Sequence, residues 1–404
     1  MVVLYVYQGD WPRNATRVAK QTRSLAEAGH HVVLLAGNPS RAARREHGAW
    51  MEVRRLPAPP SRLLRRLTNY PLFINPIWLW YVWRTARAIK ADCIVVRDLP
   101  LAPVAVLAGH WLRIPVHYDM ADVYPVLLRA NREDHPGFMN RLLRNATVAV
   151  WVERQVLRRV ATVFVVAEES RARCLALNVP APRAVLVGNT PANIDELTAP
   201  HPVPDDLVSL RDRDLVLFVG NLLADRGLDL AIRAMTPVAA EITGAALVLI
   251  GDGRERQRLE SFARELGLQE HVYFLGWKPH CEHAPYYAYA RIGILPFLAT
   301  EHICITLANK LFDYMGAGLP VVASDVPPMR RILAATRSGL LVPPGDSAAL
   351  SRAIATLLRD ATQRATLGQN GRRAVAAQYR WAVDGQRFLA AIEGAGNGRT
   401  RRGA

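Results

Sequence analysis

Short runs of consecutive apolar residues alternate along the chain with longer stretches of helical spacing. Residues 2–7 are apolar, residues 15–28 repeat apolar positions at helical intervals, Gly29 interrupts, and residues 32–36 are apolar again. A short unbroken apolar run suits a strand buried on both faces, and a 3.6-residue repeat suits an amphipathic helix. The opening therefore predicts a β-α-β unit and a parallel sheet whose strand ends offer loops to a ligand. The alternation continues at 92–96 and 163–167, then at 215–219, 247–250 and 319–323. Between the two sets, Pro191, Pro200, Pro202 and Pro204 punctuate a polar segment that reads as a linker. The expected layout is a first domain over 1–195, a linker over 196–214 and a second domain over 215–394 whose last helix returns to the first. Residues 395–404, rich in Gly and Arg, are expected to be a disordered tail.

The most informative pattern is TEHICITLANKLFDYMGAGLPVVASD at residues 300–325. With a helix beginning near Thr306, a turn of about 100° per residue puts Thr306, Asn309, Lys310 and Asp313 on one face. Leu307, Leu311, Tyr314 and Met315 fall on another. Gly316 and Gly318 stop the helix, and residues 319–323 suit a buried strand. A helix start gathers unpaired N–H groups and partial positive charge, so a diphosphate could sit there with Lys310 adding a full charge. Asp313 could then accept hydrogen bonds from ribose hydroxyls. An ordinary amphipathic helix with a solvated polar face has the same pattern.

Charge narrows the partners. The chain has 404 residues, enough for two domains, and a formal charge of +16. Residues 1–200 hold 27 Lys and Arg against 15 Asp and Glu, and the rest 24 against 20. Such a field favours an anionic partner: nucleic acid, anionic lipid or a phosphorylated substrate. No zinc-finger, RNA-recognition or helix-turn-helix signature is present, so no nucleic acid partner is expected. Between Arg62 and Lys90, Trp and Tyr mix with Arg, the composition of an anchor at an anionic membrane surface or of a helix packed in its domain. No run reaches the roughly 18 apolar residues of a spanning helix, and the N-terminus reads as a strand rather than a signal peptide. Cys93, Cys174, Cys281 and Cys304 have no metal-ligand spacing and are expected to be reduced thiols in the cytoplasm. Asp212 and Asp214 flank Arg213 in a metal-like spacing, but at a linker they are expected to do turn chemistry.

The segment NKLFDYMGAGLPVVASD resembles the nucleotide-binding segment of family 4 retaining glycosyltransferases, in which an acidic residue before a Met-x-x-Gly turn holds the donor ribose. Further segments recur in that family's order: Gly220 to Gly227 (GNLLADRG), Gly251-Asp252-Gly253, and Val272 to Trp277 (VYFLGW). The resemblance implies an α/β protein of the GT-B fold, two Rossmann-like domains facing across a cleft. It implies a nucleotide-sugar donor on the second domain and a lipid-linked or saccharide acceptor on the first. Implied too are retention of anomeric configuration, no cofactor and no divalent metal. By the same resemblance Gly220, Asn221, Arg226, Ile305, Thr306, Asn309, Lys310 and Asp313 would bind the donor, with Trp277 near its base. Gly9, Asp10 and Asp119 would face the acceptor, and Arg226, Lys310 and Asp122 would be the catalytic candidates. Two departures matter. Ala121 stands where relatives carry a His, and Ile305 stands where many carry a Glu on the transferred sugar.

These features imply sugar transfer from a UDP- or GDP-sugar to an envelope polysaccharide or lipid-linked acceptor, at the inner face of a membrane. A catalytically weak scaffold or nucleotide-binding relative is the alternative, favoured by Ala121 and Ile305. A sugar-nucleotide epimerase on the same fold is a further one.

Overall fold

The apolar runs form two parallel sheets. In the computed structural model, which describes residues 1–12, 15–58, 61, 73–130 and 145–400, the chain divides into two compact units. One comprises Met1–Gly188 with Ala382–Ala404, the other Asn189–Trp381.

The sheet of the first unit is built from β1 (Val2–Asp10), β2 (His31–Gly37), β3 (Arg45–His47), β4 (Glu52–Arg55), β5 (Cys93–Arg97), β6 (Val116–Met120), β7 (Thr162–Val165) and β8 (Ala184–Leu186). Their order is β3-β4-β2-β1-β5-β6-β7-β8. Only β3, at the edge, runs antiparallel to its neighbour. The second sheet contains β9 (Asp214–Val219), β10 (Ala245–Ile250), β11 (Val272–Gly276), β12 (Ile292–Leu295), β13 (Val321–Ser324) and β14 (Gly339–Val342). Its order is β11-β10-β9-β12-β13-β14, all parallel. Central strands such as β10 and β12 are buried at every position, which is why they read as unbroken apolar runs.

In each sheet the strand order reverses direction once, between β1 and β5 and between β9 and β12. At such a switch point the loops leaving the carboxyl ends of neighbouring strands part, and a crevice opens for a ligand. The residues of interest gather at these two places.

The segment expected to be a linker is packed. Leu197, Leu207 and Leu210 are buried, and the Tyr286 hydroxyl donates to Asp206 Oδ1 at 2.8 Å. The boundary therefore falls at Gly188, earlier than the prolines suggested. Residues beyond Trp381 belong to the first unit: Phe388 packs on Phe164, with ring centroids 4.9 Å apart, and His30 Nε2 lies 3.0 Å from Glu393 Oε1. The last helix, Trp381–Thr400, runs on into the Gly- and Arg-rich stretch expected to be a tail.

The aromatic stretch is also partly core. Arg65, Arg66, Tyr70 and Pro71 lie outside the described residues. The helix Pro76–Ala88 is started by Pro76 at its first turn and by Asn75, whose Oδ1 accepts from the N–H groups of Ile77 and Trp78. Trp78 on this helix is buried, whereas Trp80 is exposed. Among the described residues no helix is long and apolar enough to cross a membrane.

Close backbone approach fixes the second switch point. Gly251 has φ +145°, and a Cβ there would lie 1.9 Å from the Gly220 carbonyl oxygen. Gly251→Ala should therefore cost roughly 2 kcal/mol or more, since backbone must yield. Gly267→Ala, at φ +70° but in open space, should cost only the left-handed penalty of about 1 kcal/mol. Urea unfolding of both variants against the parent checks the difference.

Candidate functional site

Two cations converge at the β9/β12 switch point. After β9 the chain turns through Gly220, runs to the short turn Ala224–Arg226, and enters the helix Leu228–Glu241 through Gly227. Arg226 stands over the Phe297 ring, its Cζ 5.0 Å from the centroid. Lys310 reaches in from the helix Asn309–Ala317, its Nζ 4.1 Å from the Phe218 centroid and 5.6 Å from that of Phe297. Both cations thus share one aromatic floor. Asp225 lies beside Arg226, Oδ1 to Nε 3.5 Å, but among the described residues no carboxylate forms an ion pair with Lys310. Burial first, and Arg226 second, push the Lys310 ammonium well below its ordinary value, while Asp225 and Asp313 act the other way.

Gly220 has a particular reason to be glycine. A Cβ there would fall 2.1 Å from Lys310 Nζ, and its φ is +137°. The bare backbone makes room for the ammonium itself. The helix carrying Lys310 is held to the end of β9 by one hydrogen bond, from the Val219 N–H to the Tyr314 hydroxyl at 2.9 Å. A turn beyond Lys310, Asp313 is 4% exposed, and His280 Nε2 lies 3.3 Å from its Oδ2.

The helix begins later than its spacing suggested. Thr300 caps a separate short helix, Glu301–Ile305, by accepting from the Ile303 N–H. Thr306 ends that helix in extended conformation, at φ −119° and ψ 165°, so it does not share a helical face with Lys310. The second helix starts at Asn309 behind Ala308, which has no capping side chain. The Leu311 N–H bonds back to the Ala308 carbonyl at 3.1 Å, which leaves the earlier N–H groups of the turn and an exposed Asn309 to meet an anion. Ile305 is partly exposed at the end of the short helix, and Asn221 is exposed after Gly220. Trp277 is half exposed beyond β11. Lys278 next to it is tied to Asp206, Nζ to Oδ2 2.8 Å.

At the first unit's switch point the candidates separate. Gly9 and Asp10 end β1, and Asp10 Oδ1 accepts from the Ser40 hydroxyl at 2.8 Å. Asp122 is partly exposed after β6. Asp119, expected to face the acceptor, is instead fully buried against Arg17, whose Nη2 lies 2.6 Å from its Oδ1. Arg17 also donates to the carbonyls of Val187 and Gly188 at 2.9 and 3.2 Å. The pair joins the first helix, β6 and the end of the unit, a structural duty that keeps Asp119 from a ligand. Asp119→Ala should thus destabilise the protein by about 3–5 kcal/mol, because Arg17 is left as an unpaired buried charge. Denaturant unfolding would measure the loss.

Three residues that pattern reading missed complete the second site: Phe218, Phe297 and His280. The two rings sit in apolar runs whose side-chain direction spacing does not reveal, and His280 meets Asp313 only through the fold. Among the described residues no cluster of His, Cys, Asp or Glu could hold a metal ion. Asp212 and Asp214 pair with Arg211 and Arg291.

Comparison with known proteins matches residues 15–190 to the model of a glycosyl transferase 4-like domain and residues 204–374 to that of glycosyl transferases group 1. The chain is 26% identical over 364 residues to 2-deoxystreptamine glucosyltransferase of Streptomyces kanamyceticus, covering 85% of this chain and 89% of that one. It is 35% identical over 179 residues to phosphatidyl-myo-inositol mannosyltransferase of Mycobacterium leprae, covering 44% and 46%. Its fold matches sucrose-phosphate synthase of Thermosynechococcus elongatus with a TM-score of 0.76 at 22% identity, covering 98% of both chains.

Proposed function

The chain belongs to the group 1 glycosyl transferases and has the GT-B fold, and from that premise we propose that it moves a sugar, with retention, from a UDP- or GDP-sugar to a lipid-linked or saccharide acceptor of the cell envelope. The observation that carries the donor half is the pair Lys310 and Arg226 over Phe297, with an uncapped helix start beside them and Asp313 one turn on. A nucleoside diphosphate supplies the negative charge that Lys310 lacks within the protein. As the bond from the anomeric carbon to the diphosphate breaks, charge grows on the leaving oxygen. Two fixed cations stabilise that charge more than the ground state. Asp313, oriented by His280, accepts the ribose hydroxyls. On the first unit, the family resemblance makes Asp122 the candidate for the reacting sugar and Gly9 and Asp10 the candidates for the acceptor. No step in this scheme calls for a divalent metal.

The acceptor half rests on chemistry of the surface. The relatives include a transferase named for a phosphatidylinositol. On the first unit the helices Pro76–Ala88, Ala102–Leu112 and Ala146–Arg159 pack side by side. They expose Trp80, Trp111 and Trp151, together with Arg84, Arg87, Arg154, Arg158 and Arg159. Their one acidic residue, Glu153, is buried and paired with Arg173. Exposed Trp among uncompensated Arg suits the headgroup layer of an anionic membrane.

The first experiment measures nucleotide release from UDP-, GDP-, ADP- and dTDP-sugars with and without a lipid extract. Release of one nucleotide only with the extract is expected. Lys310→Met and Arg226→Ala should each lower it by about a hundredfold. Asp313→Ala should weaken nucleotide binding by roughly 1.5–3 kcal/mol, and unchanged affinity in the folded variant removes Asp313 from the site. No release from any donor, with Arg226→Ala and parent equally inert, favours a nucleotide-binding scaffold.

For the membrane, vesicles containing phosphatidylglycerol should bind the parent protein and those of phosphatidylcholine alone should not. Replacing Trp80, Trp111 and Trp151 together by Ala should reduce that binding roughly tenfold. A parent protein that ignores the anionic vesicles sinks the membrane reading and leaves the donor site untouched.

A further inference from the structure

A second set of polar groups lies at the β1/β5 switch point, and none of the roles above uses it. Arg97 ends β5 and Asp98 follows it. Asp98 has φ 66° and ψ 154°, a backbone region almost reserved for glycine. Its N–H is pinned to the Asp119 carbonyl at 3.1 Å, and the turn Leu99–Leu101 follows at once. The chain thus holds a side chain where glycine would be easier.

That side chain is poorly paired. Asp98 Oδ2 is 3.5 Å from Arg97 Nε, too long for a strong charge-assisted bond, and Asp98 Oδ1 has no hydrogen-bond partner among the described residues. Arg97 lies over the Tyr7 ring, Cζ 5.5 Å from the centroid, and its Nε and Nη1 likewise have no hydrogen-bond partner. Buried polar groups are ordinarily bonded, so unsatisfied atoms on two adjacent charged residues call for an explanation. Both side chains keep a window to solvent, at 17% and 21% exposure. The unbonded atoms themselves are buried, so a ligand meets these two groups through the exposed part of the carboxylate and the guanidinium.

We propose that Asp98 and Arg97 form an acceptor subsite that grips two hydroxyls of a neutral polyhydroxylated ring, one donating to the Asp98 carboxylate and the other accepting from the Arg97 guanidinium. The inference rests on the transferase reading for the word acceptor, while the subsite itself rests on geometry. Charge selects the ligand class. Arg17 is already committed to Asp119, so Arg97 is the cation beside Asp98, whose carboxyl also feels the negative charge of Asp122. A phosphate would meet excess negative charge there, whereas hydroxyls both donate and accept.

The charged and titratable groups around Asp98 set its pH response. Burial raises its carboxyl to about 7, opposed by Arg97 and Arg17 and reinforced by Asp122 and Asp119. Tyr5 and Tyr7 on β1 and Tyr118 on β6 complete the surroundings; burial raises all three, so they stay neutral. A folded-state value above the unfolded one means that native Asp98 is protonated below about pH 7. Stability then falls as pH rises from the unfolded carboxyl range toward that value.

The test uses the full chain, the donor that releases nucleotide, and Asp98→Asn and Arg97→Gln. Asn keeps the shape and tolerates positive φ. The acceptor KM should rise roughly tenfold in each variant while the donor KM stays within about twofold. In the parent it should rise as pH falls through about 7, and in Asp98→Asn it should be flat. Above that pH Asp98→Asn should unfold at the same or a higher temperature than the parent, which a merely structural carboxylate would not allow. An acceptor KM unchanged in folded Asp98→Asn overturns the proposal. If no donor yields nucleotide, the transferase reading fails, and calorimetry with glucose and myo-inositol, each against its phosphate ester, decides the subsite. Binding of the neutral ring that is lost in both variants sustains it. No binding, preference for the phosphate, or indifference to Asp98 overturns it.

Discussion

An ammonium packed on aromatic rings with no carboxylate to pair it is the constraint from which the second unit's site follows. Removing a charge from water costs several kcal/mol, and an aromatic face returns about 0.5–2 of that. Lys310 accepts the deficit beside another cation, Arg226, which makes it larger. Other features follow from keeping the ammonium in place. Gly220 leaves the space that Nζ takes up, since a Cβ there would lie 2.1 Å from it and displace the ammonium. Tyr314 ties the Lys310 helix to β9, and Gly293 on β12 leaves room for the Tyr314 ring, which a Cβ there would approach within 2.4 Å. The arrangement is unfavourable for the protein alone and would be favourable with the dianionic partner proposed above. That is how a binding site differs from a structural ion pair.

The first unit contains both cases within one neighbourhood. Arg17 and Asp119 satisfy each other through several short bonds, with carbonyls taking the remaining donors, and neither side chain is accessible. Arg97 and Asp98 leave donors and an acceptor unsatisfied, Asp98 adopts costly backbone geometry, and both side chains stay partly exposed. Both pairs are Arg and Asp, so residue type does not distinguish them. What distinguishes them is whether the hydrogen-bonding capacity is used up inside the protein.

The same distinction explains what could be read in advance. Strands such as β1, β9 and β13 are continuous apolar runs, so the two parallel sheets were legible from pattern alone. The cation and acid of the Lys310 helix were legible as well, since Lys310 and Asp313 stand three apart. The helix start was not. Thr300 captures the preceding residues as a turn of their own, and spacing cannot tell one helix from two separated by an extended step at Thr306. Asp119 and Asp98 look alike in sequence, each near the end of a predicted strand. Their roles depend on Arg17, more than a hundred residues from Asp119 and brought to it only by the fold. Trp78 and Trp80 lie two positions apart in one aromatic stretch, yet helical geometry buries the first and exposes the second.

The distribution of charge separates two tasks that the total of +16 conflates. The cations suited to a diphosphate, Arg226 and Lys310, lie in the second half, where Lys and Arg exceed Asp and Glu by little. The surplus of the first half contributes nothing to those two contacts. Part of it is internal: Arg17 and Arg173 neutralise buried carboxylates. What remains outward includes the Arg residues of the three Trp-bearing helices, unopposed by any exposed acid on them. A field of that kind acts over about a Debye length, roughly 10 Å, on a surface rather than on one small molecule. On the proposed reading, donor chemistry and attraction to an anionic surface fall to different residues in different units, so each could change by substitution without disturbing the other.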